Sequence, residues 1–156
     1  MIYNITFPGC AIVKKNSATT SYMYKDKKSG QVKVRQSNTG AFAPIHYYSK
    51  AYKEWAKNAV QACIVYKSKH PEIKFPLNKQ YNLKMLFYYN VNRKVDLSAL
   101  IEGVADVLAG NEKWLNLSYD WSIIEDDSTR FIQSYDGSRV ILEYVNPRTE
   151  IFLEEV

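Results

Sequence analysis

The chain has 156 residues, 46% hydrophobic and 24% charged, the size and balance of one globular domain that can bury a core. An aromatic share of 14%, with 13 tyrosines, excludes a disordered polar chain, and no apolar run reaches the length of about 18 residues that a membrane-spanning helix needs. Net charge is +5, but it is unevenly spread: residues 1–90 hold 15 Lys and Arg against 3 Asp and Glu (+12), and residues 91–156 hold 6 against 13 (−7).

MIYNITFPGC, at the start, lacks the basic residues and the long apolar stretch of a signal peptide, so a cytoplasmic protein without membrane association is expected. Residues 2–8 (IYNITFP) alternate and predict a first strand ended by Pro8-Gly9, followed by a short extended piece, AIVKKNS. Residues 17–43 turn polar around KDKKSGQVKVR and predict a long basic loop with a hairpin turn at Ser29-Gly30. Residues 49–69 form the clearest helical pattern. Tyr52, Trp55, Ala56, Ala59, Val60, Cys63 and Ile64 recur on one side, Ser49 is placed to cap the start, and Pro71 marks the end. Cys10 and Cys63, without CxxC spacing, read as reduced thiols.

YNLKMLFYY (residues 81–89) predicts a strand apolar on both faces. A second helix opens near Asp96, with Leu97, Leu100, Ile101, Val104, Val107 and Leu108 as its apolar stripe and Gly110 closing it. Beyond lie WSII, then EDD, then alternating segments around Asp136-Gly137 that predict a hairpin, and a last strand over residues 148–153. Strands near both ends with two helices between them predict one α/β (α+β) domain over residues 1–156, with a mixed β-sheet flanked by the two helices.

The basic half suits a polyanion, and nuclease chemistry would explain the acids of the other half, because carboxylates hold divalent cations beside a scissile phosphate. On the second helix, Ser98, Glu102 and Asp106 follow at four-residue intervals along one line, while Asp96 stands where a carboxylate caps free N–H groups. A capped helix with a wet acidic side accounts for this helix alone. The Glu125-Asp126-Asp127 run is different, since stacked acids repel unless a cation or basic group is near. His46 and His70 have no second histidine at ligand spacing and read as capping or surface residues.

VDLSALIEGVADVL followed by IIEDD resembles the RusA-type Holliday junction resolvases of bacteria and their prophages. Their pattern is a short D-x-D-N-L-x-K segment, then a helix containing Asp-Leu, then downstream an apolar strand ending in Asp-Asp; Asp96, Leu100, Asp106, Leu108, Asp126 and Asp127 fall in register. The first strand, KKNS and SKAYKEWAKNAV resemble the family's front half. The resemblance implies a homodimeric, Mg²⁺-dependent endonuclease, with Mn²⁺ as the alternative ion, that nicks four-way DNA junctions in recombination and repair. It also implies that Asp96 and Asp127, supported by Asp126, bind the metal and carry catalysis.

The pattern departs at three positions: Ser98, Ala99 and Glu102 stand where the family has Asp, Asn and Lys. Glu102, one turn beyond Ser98, is long enough to reach back and restore the carboxylate count. Lys84, Arg93 and Lys94 are the candidates for the missing lysine. Glu150, extended and preceded by Arg148, is a further acid, which a cross-strand ion pair would explain. Lys14, Lys15, Asn16, Lys25, Lys27, Lys28, Lys33 and Arg35 are the expected DNA contacts, and Tyr47 and Tyr48 either stack on exposed bases or pack in the core. Three readings stay open: a junction resolvase, a nuclease on flaps or duplex, and a branched-DNA-binding protein whose metal site has decayed.

Overall fold

A computed structural model describes residues 1–14, 18–36, 39, 45–92 and 94–156, without the side chains of residues 18–21 and 45–47. The main sheet is mixed. β1 (Ile2–Pro8) pairs antiparallel with β9 (Arg148–Glu155), and β9 pairs antiparallel with β6 (Tyr81–Tyr89). Along the far edge of β6 lie two short strands in succession, β7 (Ile132–Ser134) at Tyr81 and Asn82 and β8 (Arg139–Leu142) at Leu86 to Tyr89, both parallel to β6.

That arrangement corrects the hairpin expected at Asp136-Gly137. β7 and β8 both pair parallel with β6 and not with each other; between them Ser138 N–H closes the turn on the Tyr135 carbonyl (3.2 Å), and Asn82 Oδ1 accepts from the Ser134 hydroxyl (2.7 Å) and the Asp136 N–H (2.9 Å). The Asp-Gly pair, with Gly137 at φ 82°, therefore carries the chain one step along a single edge.

α1 (Lys50–Lys69) and α2 (Leu97–Leu108) cover one face of the sheet. Ile5 and Phe7 of β1, Ile151 and Leu153 of β9, and Tyr81, Leu83, Met85, Phe87 and Tyr89 of β6 are buried there with the helix stripes. Phe7 meets Trp55 edge-on with ring centres 6.3 Å apart. On the opposite face of β6, Leu86 is buried but Asn82, Lys84 and Tyr88 are half exposed, so the strand is covered on one side rather than both. Lys84 lies there over the Phe152 ring, and Arg148 bonds Glu150 (2.8 Å) along its own strand while Tyr88 supplies the cross-strand hydrogen bond.

The expected caps are in place. Ser49 Oγ accepts from the Tyr52 N–H, Asp96 caps α2, and Gly110 at φ 75° turns the chain out of α2 just past Ala109. His70 caps the end of α1 and bonds Glu72.

Residues 17–43, expected as a loop, are partly ordered as strands. β2 (Ala18–Ser21) pairs with β5 (Ile45–Tyr48), and β3 (Met23–Lys25) pairs with β4 (Val32–Val34) in a separate ribbon turning through Gly30. Among the described residues no helix is long and apolar enough to cross a membrane.

Candidate metal and nucleic-acid site

The acidic end of α2 is assembled by the returning chain. Trp121 Nε1 donates to the Val107 carbonyl (3.2 Å), and the Ile123 and Ile124 N–H groups both donate to the Leu108 carbonyl (2.7 and 3.2 Å). The last carbonyls of the helix thus find partners, as a buried helix end requires. Leu77 holds the other side through Leu77 N–H to Ile123 O (2.7 Å) and Glu125 N–H to Leu77 O (3.0 Å). WSII is therefore not a strand but a buried segment stapled between α2 and Leu77, with a single bridge at Ile124. Asp126 and Asp127 emerge from it, with Asp127 near enough to Asp106 to feel its charge.

The two neighbouring acids are unequal. Ser128 donates to Asp126, which also takes the Asp127 N–H at 2.9 Å, and these bonds hold the Asp126 carboxyl below its ordinary range. Burial, the shared hydrogen bond with Asp126 and the charge of Asp106 push the Asp127 carboxyl up. Tyr135 closes the same corner: burial, then the charges of Asp127 and Asp106, raise its hydroxyl.

Lys14 ties this corner to the core. The chain that carries it crosses α2 at Gly103, where a Cβ would already touch Lys14 Cβ (3.9 Å) and Ile12 O (4.0 Å). Its Nζ sits 2.7 Å from Asp106 and 2.9 Å from Glu112, a carboxylate that is fully buried. Burial alone would lower the ammonium, but the bonds to Asp106 and Glu112 outweigh it and hold Lys14 above its ordinary value. Glu112 also accepts from the Tyr52 hydroxyl (2.5 Å) and from Trp114 Nε1, so the buried charge is answered on several sides. Burial and then the Glu112 bond raise the Tyr52 hydroxyl. Tyr48 packs on Tyr52 and Trp114, with Lys14 Nζ 5.6 Å from its ring centre.

The other expected residues are placed as follows. Asp96, exposed, accepts at one oxygen from Ser98 N–H (3.0 Å), Ser98 Oγ (2.7 Å) and Ala99 N–H (3.4 Å). It stands about 15 Å along α2 from Asp106, ten residues at 1.5 Å each. Glu102 is exposed one turn beyond Ser98 and one turn before Asp106, and Lys94 is exposed just before Asp96. Lys84 lies on the sheet face away from the helices. Lys25, Lys27, Lys28, Lys33 and Arg35 lie on the β3–β4 ribbon, whereas Lys15, Asn16 and Arg93 fall outside the described residues. Glu112, Tyr52 and Tyr135 did not stand out as site residues in the sequence. Asp106 was noted on the line of Glu102 and in register with the resembled pattern, but was not among the expected metal ligands.

For a hard divalent cation the donors are of the right kind, carboxylate oxygens: Asp127 neighbours Asp126 in the chain and lies within reach of the charge of Asp106. Among the described residues no three His, Cys, Asp or Glu side chains gather closely enough to enclose an ion. Magnesium does not demand that, since it keeps several waters and takes one or two carboxylates together with substrate phosphate. The residues present fit such an ion. Compared with family models and with curated proteins, the sequence matches none.

Proposed function

We propose that the chain is a metal-dependent endodeoxyribonuclease of the RusA type that resolves four-way DNA junctions, acting as a homodimer with Mg²⁺ or Mn²⁺. The observation that carries this reading is the acidic corner near the end of α2, where Asp127, partly buried, shares a hydrogen bond with Asp126 and feels the charge of Asp106. A carboxyl crowded by like charge gains most from a cation, and the basic half of the chain (+12 over residues 1–90) attracts the phosphates that would complete the ion's shell.

In this reading Asp127, Asp126 and Asp106 hold the ion, which when bound supplies an activated water and neutralises charge on the phosphate oxygens. Lys14 keeps Asp106 aimed and lowers the negative potential that would otherwise repel DNA from the acids. Glu112, with Tyr52 and Trp114 bonded to it, fixes the Lys14 ammonium in turn. Asp96 and Ser98 hold the start of α2.

Labelled four-way, flap and linear DNA incubated with Mg²⁺ or Mn²⁺, beside an Asp127→Asn variant, tests the proposal. Paired nicks in the four-way DNA that vanish in the variant are expected, and DNA binding without any nick under either metal would overturn the enzyme reading. One observation favours the alternative, a branched-DNA-binding protein with a decayed site. Asp96 is engaged in capping, and Ser98 and Glu102 replace the family's Asp and Lys. Binding without cleavage is its signature.

A further inference from the structure

The β3–β4 ribbon presents exposed rings and cations side by side. Its register pairs Met23 with Val34, Tyr24 with Lys33 and Lys25 with Val32, and Arg35 N–H extends it by donating to Tyr22 O (2.9 Å). Side chains alternate across a strand, so Tyr22, Tyr24, Lys33 and Arg35 share one face while Met23, Lys25, Val32 and Val34 share the other. The apolar side chains are open to solvent: Tyr22 is 52% exposed, Met23 58% and Val32 68%. Ribbons of two strands are marginal in water without such groups being covered.

The turn is nevertheless well organised. Asp26 accepts the Lys28 and Ser29 N–H groups (2.8 and 3.0 Å), its carbonyl takes the Gly30 N–H (2.8 Å), and its carboxylate meets Lys33 Nζ at 2.5 Å. Between residues 22 and 35 there are five cations (Lys25, Lys27, Lys28, Lys33, Arg35) and one acid, Asp26, a balance of +4.

We infer that this ribbon binds unpaired nucleotides, with Tyr22 and Tyr24 as a stacking platform for bases and Lys33 and Arg35 beside them for the phosphates. The charge balance calls for a polyanion. A second copy of this ribbon would meet it with like charge, and a lipid surface would meet a polar tip of Lys27, Lys28, Ser29 and Gly30 with cations on both faces, unlike an inserting ribbon. Interleaved rings and cations suit nucleic acid, because the two tyrosines stand about 6.6 Å apart along the strand and Tyr24 lies opposite Lys33 at about 5 Å. A paired duplex keeps the faces of its bases stacked, whereas a strand at a branch or end offers them, so the platform selects unpaired DNA. The inference rests on the nucleic-acid half of the proposal above but not on cleavage.

Binding is measured on the full chain in EDTA with labelled single-stranded, four-way and linear duplex DNA. For the parent, tighter binding to the single strand and the junction than to the duplex is expected. Replacing both tyrosines by Ala should weaken single-strand binding at least about fivefold per ring and leave duplex binding within about twofold. The Tyr→Phe pair should bind as the parent does, since the ring is what stacks. Lys33→Ala with Arg35→Ala should weaken all three DNAs together and flatten the dependence on salt. Single-strand binding unchanged in the double Ala variant would overturn the inference, as would binding of anionic vesicles in preference to DNA, or self-association that the tyrosine changes abolish. Nicking is scored separately in Mg²⁺. Loss of single-strand binding with no nicking by the parent leaves the platform standing without the nuclease, and nicking with tyrosine-independent binding leaves the reverse.

Discussion

The two ends of α2 put the same chemical group to opposite uses. At its start Asp96 is exposed and directs one oxygen at the Ser98 and Ala99 N–H groups and the Ser98 hydroxyl. Near its end Asp106 is only 18% exposed, faces Lys14 across 2.7 Å and adds its charge to that of Asp127. Water screens the first acid and little of it reaches the second, so a carboxylate that caps at one end shifts its neighbours' protonation at the other. Sequence position along a helix is therefore a poor guide to which acid can do chemistry; what lies opposite it decides.

The sharpest way to break that contrast is at Glu112. Glu112→Gln leaves the partly buried Lys14 ammonium short of a counter-charge, and a loss of roughly 3 kcal/mol in chemical denaturation is expected. A loss no greater than that of a surface substitution would show the network to be dispensable.

At the other end, Asp96→Ala removes a helix cap and should cost about 1 kcal/mol, with Asp96→Asn or Asp96→Ser nearly neutral. If Asp96→Asn costs as much as Asp96→Ala, the capping account of this residue fails.

Asp127 responds to pH. Its folded-state pKa is raised above the ordinary 3.8, so its favourable contribution is complete below the unfolded-state value and is lost as pH rises through the folded-state value. Asp127→Asn should remove that loss, making the variant gain on the parent between pH 4 and neutrality; a constant difference across that range would contradict it.

The smallest effect is local to the ribbon. Asp26 is pulled down to about 2 by Lys33 and by the Ser29 and Lys28 N–H groups, so its contribution to the turn holds above its unfolded-state value and disappears as pH falls toward 2. Lys33→Ala should move its titration, followed by NMR, back toward 3.8 without changing global unfolding.

Much of the fold was legible because its signals are local. Ser49, Asp96 and Gly110 mark helix ends through bonds and backbone angles within a few residues, and the apolar stripes of α1 and α2 face the core as their spacing predicts. The Asp136-Gly137 turn forms, with Ser138 N–H donating to the Tyr135 carbonyl (3.2 Å), but it misled because both strands flanking it pair with β6, more than fifty positions away in the chain, and not with each other. Of the site, Asp126 and Asp127 stood out as a run of like charge. Glu112, in GNEKW, looked like one more polar loop residue, since its partners Tyr52 and Lys14 are 60 and 98 positions away in the chain. Lys14 likewise read as a surface cation for phosphate, and only the fold shows it held against two carboxylates.

Titration of the protein with Mn²⁺, followed by paramagnetic line broadening, locates the cation directly. The account predicts broadening centred on Asp127, Asp106 and Tyr135, abolished by Asp127→Asn or Asp106→Asn and retained in Asp96→Asn. Broadening centred on Asp96 and Ser98, or binding that survives the loss of Asp127, would contradict it.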